Sequence, residues 1–429
     1  MSLSIVDPGR SRQAAARSTT DPKVALALAG GGPLGAIWEI GALCALEESI
    51  AGLKLNALDH YVGVSAGGFI AAALANGMTA REICRGFIEN SDESAEVFDP
   101  SWLMQPAWGE FARRARQLPA LGTSALWRFF VERRSLISAL ERLGPALPTG
   151  VFGNEEVHRR LSALFSREGR TNDFRRLRTR LTLVATDLDS GAAAPFGRPG
   201  WDHVPISRAV QASSALPGLF PPVEIDGKHY VDGALKKTLH ATVVLDEGVD
   251  LLLCLNPLVP FDATAPAFAD WLRRGLPAER RRIPRIIEGG LPAVLSQTFR
   301  TMIHSRLELG MKGYERHYPG TDILLFEPDH RDPELYLANT FSYSQRRQLA
   351  EHAYQQTRHH LRTHRSRFSH RLARHGMALD LEALEDPRRH LVQPVVPTSA
   401  TGVALNRLEE LLEDLADWVH DRERERRAA

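Results

Sequence analysis

Short apolar runs alternate along this chain with stretches in which apolar residues recur every three or four positions. Residues 23–29 are apolar almost throughout and end at glycines, which is typical of a strand buried on both faces. Residues 36–50 follow with apolar positions at helical spacing. Residues 60–64 and 66–76 repeat this order of strand, turn and helix. Two such units in succession predict a parallel sheet with right-handed crossovers.

The same patterns predict further elements downstream. Short apolar runs bounded by turn residues indicate strands at residues 181–186, 243–245, 251–255 and 322–326. Residues 223–231 carry Asp226-Gly227 between two extended pieces, a strong signal for a two-residue hairpin. Helices are predicted at residues 295–314 and 344–361. Together these elements predict an α/β fold with a mostly parallel central sheet and helices on both faces.

Residues 98–150 differ in character from the segments around them. Tryptophan and phenylalanine alternate there with arginine, and five prolines divide the segment into short pieces. We interpret it as a helical cap inserted into the α/β core. Its aromatic and basic residues suit a membrane interface, but they equally suit an aromatic core beneath a solvated arginine face. Both interpretations stay open.

The two ends of the chain form separate regions in this prediction. Residues 1–22 are polar without an apolar core, which predicts a disordered lead-in rather than a signal peptide. Residues 246–365 are predicted to continue the α/β fold, and residues 366–429 to form a basic and amphipathic helical tail. Residues 358–375, dense in arginine and histidine, are interpreted as a solvated helix face. Residues 404–425 predict an amphipathic helix that pairs with a second copy or docks on its own core.

Composition narrows the function classes. The chain has 429 residues, 43% hydrophobic and 24% charged, with a formal net charge of +1, which argues for a globular protein without general affinity for nucleic acid. Cys44, Cys84 and Cys254 have the spacing of neither a disulfide framework nor a metal site. No stretch approaches the ~20 apolar residues that span a bilayer. We therefore expect a cytoplasmic protein without a transmembrane segment or a bound metal.

The motif Gly63-Val-Ser65-Ala-Gly67 lies between a predicted strand and a predicted helix, which is where a serine nucleophile is presented on a sharp turn. The neighbours two residues away crowd such a turn, and Gly63 and Gly67 have no Cβ to clash. Ser65 would then lie at a helix N-terminus, where N–H groups and the helix dipole favour negative charge. The alternative is that Ser65 only caps the helix.

A second motif, Gly30-Gly31-Gly32 followed by Gly35, joins the first strand to the first helix. Three successive glycines let backbone N–H groups approach a reacting carbonyl, as an oxyanion hole requires. The same spacing also satisfies the dinucleotide-binding pattern. A dinucleotide-binding site requires an acidic residue at the end of the second strand, whereas Asp59 precedes that strand. A tight turn with a purely structural role is the third interpretation.

The third motif is Asp232-Gly233-Ala234, placed by the predicted hairpin at a strand end. A serine hydroxyl is a weak nucleophile until a base takes its proton, and a carboxylate at a sheet end can serve as that base. Asp-Gly is also an ordinary turn sequence. Histidine is the commoner base, and four histidines have a suitable place in the chain order without a distinctive setting: His203, His229, His240 and His304.

In these three motifs and their order the chain resembles the patatin-like phospholipase family. Residues 185–191 and 211–222 are also similar to family segments, so that the resemblance covers residues 24–245. It implies a patatin-like fold and a Ser65–Asp232 dyad without a catalytic histidine. It further implies an oxyanion hole from the glycine loop and hydrolysis of lipid acyl esters without metal or cofactor. The supporting positions would be Gly35, Gly63, Gly67, Gly233 and Ala234.

Two departures from the family pattern concern the substrate. Pro33-Leu34 stand where many members have a basic residue, and Ala234-Leu-Lys-Lys237 replaces the commoner asparagine–proline continuation. Neither removes a catalytic group, and both leave the head-group preference open. The expected partners are a lipid or acyl-ester substrate, a membrane or lipid-droplet surface, and a second copy through the terminal helix. The alternatives are a catalytically silent binding protein on this fold and a dinucleotide-binding oxidoreductase.

Overall fold

The computed structural model describes residues 22–89, 105–116, 118, 144–264, 285–337 and 343–392. Most of the predicted lead-in and cap, and the predicted helix at 404–425, lie outside these residues. The chain divides into two compact units, residues 1–389 and 390–429. Only residues 390–392 of the second unit are described. The predicted domain boundaries remain predictions.

A large mixed sheet forms the centre of the first unit. Its strand order is β6-β7-β4-β3-β1-β8-β9, with β5 also paired to β4. The parallel strands are β1 (Val24–Leu28), β3 (His60–Gly63), β4 (Arg180–Asp187), β8 (Leu251–Leu255) and β9 (Asp322–Phe326). Antiparallel pairing joins β4 to β5 (Ala193–Phe196) and to β7 (Lys228–Asp232), and β7 to β6 (Val223–Ile225). A separate two-stranded sheet pairs β2 (Ile50–Ala51) with β10 (Ala378–Leu379). The prediction of a mostly parallel central sheet is confirmed.

The helices run in the following order along the chain. They are α1 (Gly32–Ser49), α2 (Ala66–Ala75), α3 (Ala80–Cys84), α4 (Trp108–Ala115), α5 (Glu155–Phe165), α6 (Ile206–Ser213), α7 (Thr242–Leu245), α8 (Gly290–His317), α9 (Pro333–Leu337), α10 (Tyr343–Thr363), α11 (Arg365–Ala373) and α12 (Leu381–Glu385). A π-helical turn, Arg85–Glu89, continues α3. Among the described helices, none has the length and apolarity needed to cross a bilayer.

The central strands are apolar on both faces because both faces are covered. Ala25 and Ala27 of β1 lie in one core cluster with Leu307 of α8. The other face of β1 lies against α2, where a Cβ on Gly67 would stand 2.7 Å from the Cβ of Leu28. Since burial of alternate residues on both sides removes every polar position, the strand reads as a continuous apolar run.

Most predicted elements are confirmed within a few residues, and one is wrong. Residues 243–245, predicted as a strand, belong to α7, where Val244 and Leu245 pack into the core. A short apolar run has no period that distinguishes a buried strand from one buried turn of helix. Helix α1 begins four residues earlier than predicted, at Gly32. Pro33 lies in its first turn, where the missing N–H costs no hydrogen bond.

The interpretation of residues 358–375 as a solvated face is wrong at two positions. Arg358 is only 1% exposed, and its guanidinium donates to the carbonyls of Ala383 and Leu384 at the end of α12. His375 is also buried, with Nε2 2.7 Å from Asp322 Oδ2. Carbonyls at a helix end lack intrahelical partners, and a buried guanidinium supplies donors for them.

Candidate active site

Ser65 lies on a strained turn between β3 and α2. Its backbone angles are φ 53° and ψ −126°, in a region that residues other than glycine seldom adopt. Such strain costs roughly 1–3 kcal/mol and persists only where the surrounding structure enforces it. The side chain of Ser65 makes no capping hydrogen bond to α2, so a helix-cap role does not explain the residue.

The flanking glycines are required by close approach of the backbone. A Cβ on Gly63 would stand 2.5 Å from the Cα of Gly68. A Cβ on Gly67 would stand 2.3 Å from the carbonyl oxygen of Ala29. Neither distance is compatible with a real side chain, and backbone atoms cannot move aside cheaply. The two glycines therefore hold the turn between strand and helix.

Ser213, at the end of α6, stabilises this turn through hydrogen bonds of its side chain. It is fully buried, and its hydroxyl accepts the backbone N–H of Ser65 at 2.8 Å while donating to the carbonyl of Val184 at 2.6 Å. Ser213 belongs to the family-like segment 211–222, but nothing in the sequence indicates this supporting role. The role depends on a contact between residues 148 positions apart in the chain, for which no local signal exists.

Asp232 ends β7 and lies in the same cavity as Ser65. Its side chain is buried, with 3% of the residue exposed, and Oδ1 accepts the N–H of Ala234 at 2.9 Å. Burial raises the pKa of this carboxyl to about 6, although hydrogen bonding with the Ser65 hydroxyl and with Ala234 opposes the shift. Gly233 must lack a side chain, since a Cβ would stand 2.1 Å from the carbonyl oxygen of Val184.

Three of the four histidines named from sequence have other partners, and the fourth, His229, is exposed. His203 pairs with Asp226 on the surface, and His304 lies between Glu308 and Glu327. His240 is buried near the Asp232 turn, where its Nε2 is 3.2 Å from the carbonyl oxygen of Gly233. Burial lowers the pKa of His240 to about 4, so the ring is neutral. Among the hydrogen bonds of the described residues, none joins a histidine to Ser65 or Asp232.

The glycine loop lies against the serine turn. A Cβ on Gly30 would stand 3.0 Å from the Cβ of Ser65 and 3.6 Å from its hydroxyl oxygen. Gly31 is the N-cap of α1, which begins at Gly32. The first N–H groups of a helix have no intrahelical acceptor, and the helix dipole places partial positive charge there. The loop can therefore present donors to a negative charge that develops beside Ser65.

These groups share one cavity of about 660 Å³, lined by all three glycines of the loop, Ser65 and Asp232. Its volume lies within the range of small-molecule sites. The rest of the wall is mainly apolar and carries two arginines, Arg160 and Arg300. The apolar wall residues include Phe69, Phe87, Val157, Leu161, Val210, Leu216, Leu219, Phe220, Leu235, Leu258, Leu295, Phe299 and Ile303.

The structure thus brings together the candidate residues that the sequence placed far apart. Ser65, Asp232 and the glycine loop line one apolar cavity. The described residues contain no group of three or more histidine, cysteine or acidic side chains arranged to hold a metal ion. A nucleophile, an adjacent base and backbone donors are the parts that acyl transfer requires.

The chain is similar in sequence to a described protein family and to several relatives. The sequence model described as patatin-like phospholipase matches residues 26–245, about half of the chain. Uncharacterized NTE family proteins of Mycobacterium bovis and Mycobacterium tuberculosis are 33% identical over 98 residues, which is 22% of this chain. The match spans about a quarter of the length of those relatives, 26%.

Two solved structures are similar at low identity. VipD from Legionella pneumophila is 18% identical, with a TM-score of 0.36, covering 80% of this chain and 67% of VipD. The type III effector protein ExoU is 18% identical, with a TM-score of 0.32, covering 80% of this chain and 53% of ExoU.

Proposed function

Because this chain belongs to the patatin-like phospholipase family, we propose that it is a serine hydrolase that cleaves fatty acyl esters of lipids. The observation that carries the proposal is the convergence of Ser65, Asp232 and the glycine loop on one apolar cavity. Ser65 is the nucleophile, Asp232 is the base, and the N–H groups of Gly30, Gly31 and Gly32 form the oxyanion hole.

The reaction proceeds in two acyl transfers. Asp232 accepts the proton of the Ser65 hydroxyl as its oxygen attacks the ester carbonyl, and the glycine loop stabilises the tetrahedral oxyanion. The C–O bond to the alcohol breaks, the proton of Asp232 passes to the leaving oxygen, and an acyl-Ser65 ester remains. Water then gives a proton to Asp232 as its oxygen attacks this ester. The C–O bond to Ser65 breaks, the proton of Asp232 passes to the Ser65 oxygen, and the fatty acid leaves.

The environment of Asp232 suits a base that acts without histidine. An exposed carboxylate is a weak base at neutral pH, whereas burial raises the pKa of Asp232 to about 6. Catalytic bases work best when their pKa lies near the operating pH. The Ser65 hydroxyl opposes this rise in the pKa of Asp232, which makes the two side chains neighbours in the cavity. These features support direct proton transfer between the two side chains.

Contact with a lipid surface is part of the proposal. On α8, exposed apolar side chains recur at spacings of three, four and seven residues and so share one stripe. The stripe consists of Leu291, Leu295, Phe299, Met302 and Leu309. Leu295 and Phe299 also line the cavity, so the stripe leads to its mouth. In the cap segment, Trp108 is 73% exposed. Pairing of two copies through residues 404–425 concerns residues outside those described and stays a prediction.

A fluorophosphonate probe tests the proposal, since it reacts covalently with an activated serine. We expect labelling of Ser65, located by peptide mapping, and loss of both labelling and acyl-ester hydrolysis in Ser65→Ala. Ser190→Ala, in an exposed turn, is the matched control and should retain both. Hydrolysis that persists undiminished in Ser65→Ala would contradict the proposal.

The same experiment separates the alternatives. A catalytically silent binding protein on this fold would show neither labelling nor turnover while still binding lipid. Family membership leaves the dinucleotide-binding alternative without support, and the second strand of the sheet runs into Ser65 without an acid at its end.

A further inference from the structure

The two cations in the cavity wall differ in their partners. Arg160 of α5 donates from Nε to Glu156 Oε1 at 2.7 Å, so its charge is balanced by a carboxylate. Arg300 of α8 reaches only carbonyl groups, with Nη1 3.5 Å from the oxygen of Pro257 and 3.3 Å from that of Val259. Within the described part of the chain, no carboxylate pairs with Arg300. Arg300 thus brings an uncompensated positive charge to the cavity.

Holding such a charge in the cavity wall without a counter-ion costs free energy. Burial lowers the pKa of Arg300, which shows that its guanidinium is partly withdrawn from water. Arginine nevertheless stays charged in proteins. A desolvated charge is tolerated when an anion or several good hydrogen bonds compensate it. The two carbonyl contacts are at the long end of hydrogen-bond distances and leave most of the five guanidinium N–H donors available.

Arg300 is also placed close to the reacting centre. The ring of Pro257, whose carbonyl it contacts, lies directly against the glycine loop, since a Cβ on Gly31 would stand 2.7 Å from Pro257 Cγ. Gly30 of the same loop lies against Ser65. A short chain of contacts therefore links the guanidinium to the nucleophile, and both line one cavity. An ester that occupies this cavity from Ser65 to the opposite wall can therefore contact both residues.

We propose that Arg300 binds an anionic group, a phosphate or a carboxylate, on the ester that Ser65 attacks. The enzyme then selects negatively charged acyl esters over neutral ones, and the apolar wall accommodates the acyl chain. This inference rests on the proposed function and adds to it a residue that determines specificity. Guanidinium groups bind both anions through paired N–H donors, which makes arginine better suited to the task than lysine.

The test uses three esters with one acyl chain in neutral detergent: those of glycerol, glycerol phosphate and glyceric acid. We measure kcat/KM for the unmodified protein, Arg300→Met and Arg300→Lys. The control is Arg316→Met, at an exposed position about 24 Å farther along α8. We expect Arg300→Met to lose roughly 10–100-fold on the anionic esters and less than about threefold on the neutral one, since hydrogen bonds to charged groups are the strong ones. Arg300→Lys should be intermediate.

Labelling of Ser65 by a neutral alkyl fluorophosphonate reports whether each variant keeps an intact site. With normal labelling, an equal loss on all three esters would overturn the inference and make Arg300 a support of the glycine loop. No loss on any ester would overturn it as well. If Ser65 of Arg300→Met is labelled poorly, the comparison of kcat/KM on the three esters is made with Arg300→Lys instead, and its result decides. Failure of the unmodified protein both to label and to hydrolyse any ester would overturn the proposed function, and the inference with it.

Discussion

The Ser213 hydroxyl holds the backbone N–H of Ser65 at 2.8 Å, so the strained turn is fixed by a side chain from a different helix. The same hydroxyl donates to the carbonyl of Val184 on β4 at 2.6 Å. One buried group thus links the nucleophile turn to the sheet. The Ser65 N–H is committed to this bond and is therefore not free to donate to an oxyanion.

Ser213→Ala should destabilise the fold and slow the reaction. It leaves the Ser65 N–H and the Val184 carbonyl without their partner, and each buried unsatisfied group costs about 1–3 kcal/mol. Urea unfolding gives the stability change, and the rate of fluorophosphonate labelling gives the effect on Ser65. Ser190→Ala is the control: it removes an exposed hydrogen bond from the Ala192 N–H, so it should leave labelling unchanged and lower stability far less than Ser213→Ala. Unchanged stability and labelling in Ser213→Ala would show that the contact does not hold the turn.

Asp232→Asn should abolish turnover and yet stabilise the protein above pH 6. Burial raises the pKa of Asp232 from 3.8 to about 6, so the folded protein keeps a proton that the unfolded chain has lost between these values. Stability therefore falls as pH rises through that window, and asparagine removes the fall. A difference of about two pKa units corresponds to about 3 kcal/mol. Urea unfolding of both proteins at pH 8 and below pH 4 measures this difference in stability. Equal stability of the two proteins at pH 8 would contradict the prediction.

The pH dependence of kcat/KM should show one limb on the acid side, with an apparent pKa near 6. Protonation of Asp232 removes the base, so activity declines tenfold for each pH unit below that value. The profile is measured on a neutral ester, which does not itself titrate. His240→Asn should leave the limb in place because the His240 ring is already neutral there. A limb that disappears in His240→Asn would indicate a histidine base instead.

Three glycines should respond differently to alanine. Gly67→Ala places a Cβ 2.3 Å from the Ala29 carbonyl oxygen and should prevent folding or severely destabilise the protein. Gly30→Ala meets the Cβ of Ser65 at 3.0 Å, a contact that a small shift relieves, so the protein folds but labels slowly at Ser65. Gly320→Ala meets no atom within 4 Å and should be neutral. Thermal unfolding and labelling rates distinguish the three, and similar behaviour of Gly67→Ala and Gly320→Ala would be contrary to the close-approach argument.

Local chemistry made much of this protein predictable from its sequence. Strands β8 and β9 coincide with the predicted runs because burial on both faces selects apolar residues continuously. The serine turn and the hairpin before Asp232 were predictable for a related reason, since their backbone geometry demands glycine at fixed positions. The helical structure of residues 243–245 was not predictable, because one apolar turn of helix resembles a short strand in sequence.

Only the tertiary structure decided which side chains and backbone groups contact one another across the site. The partner of Ser213 and the raised pKa of Asp232 depend on contacts between segments far apart in the chain. So does the lack of a carboxylate beside Arg300 among the residues that the structure describes. Arg358 makes the same point, since it is buried against α12 while His359 and His360 beside it are exposed. The periodicity of a sequence indicates on which face of its own helix or strand a residue lies. Burial and charge balance are set by what packs against that face, and no local pattern encodes it.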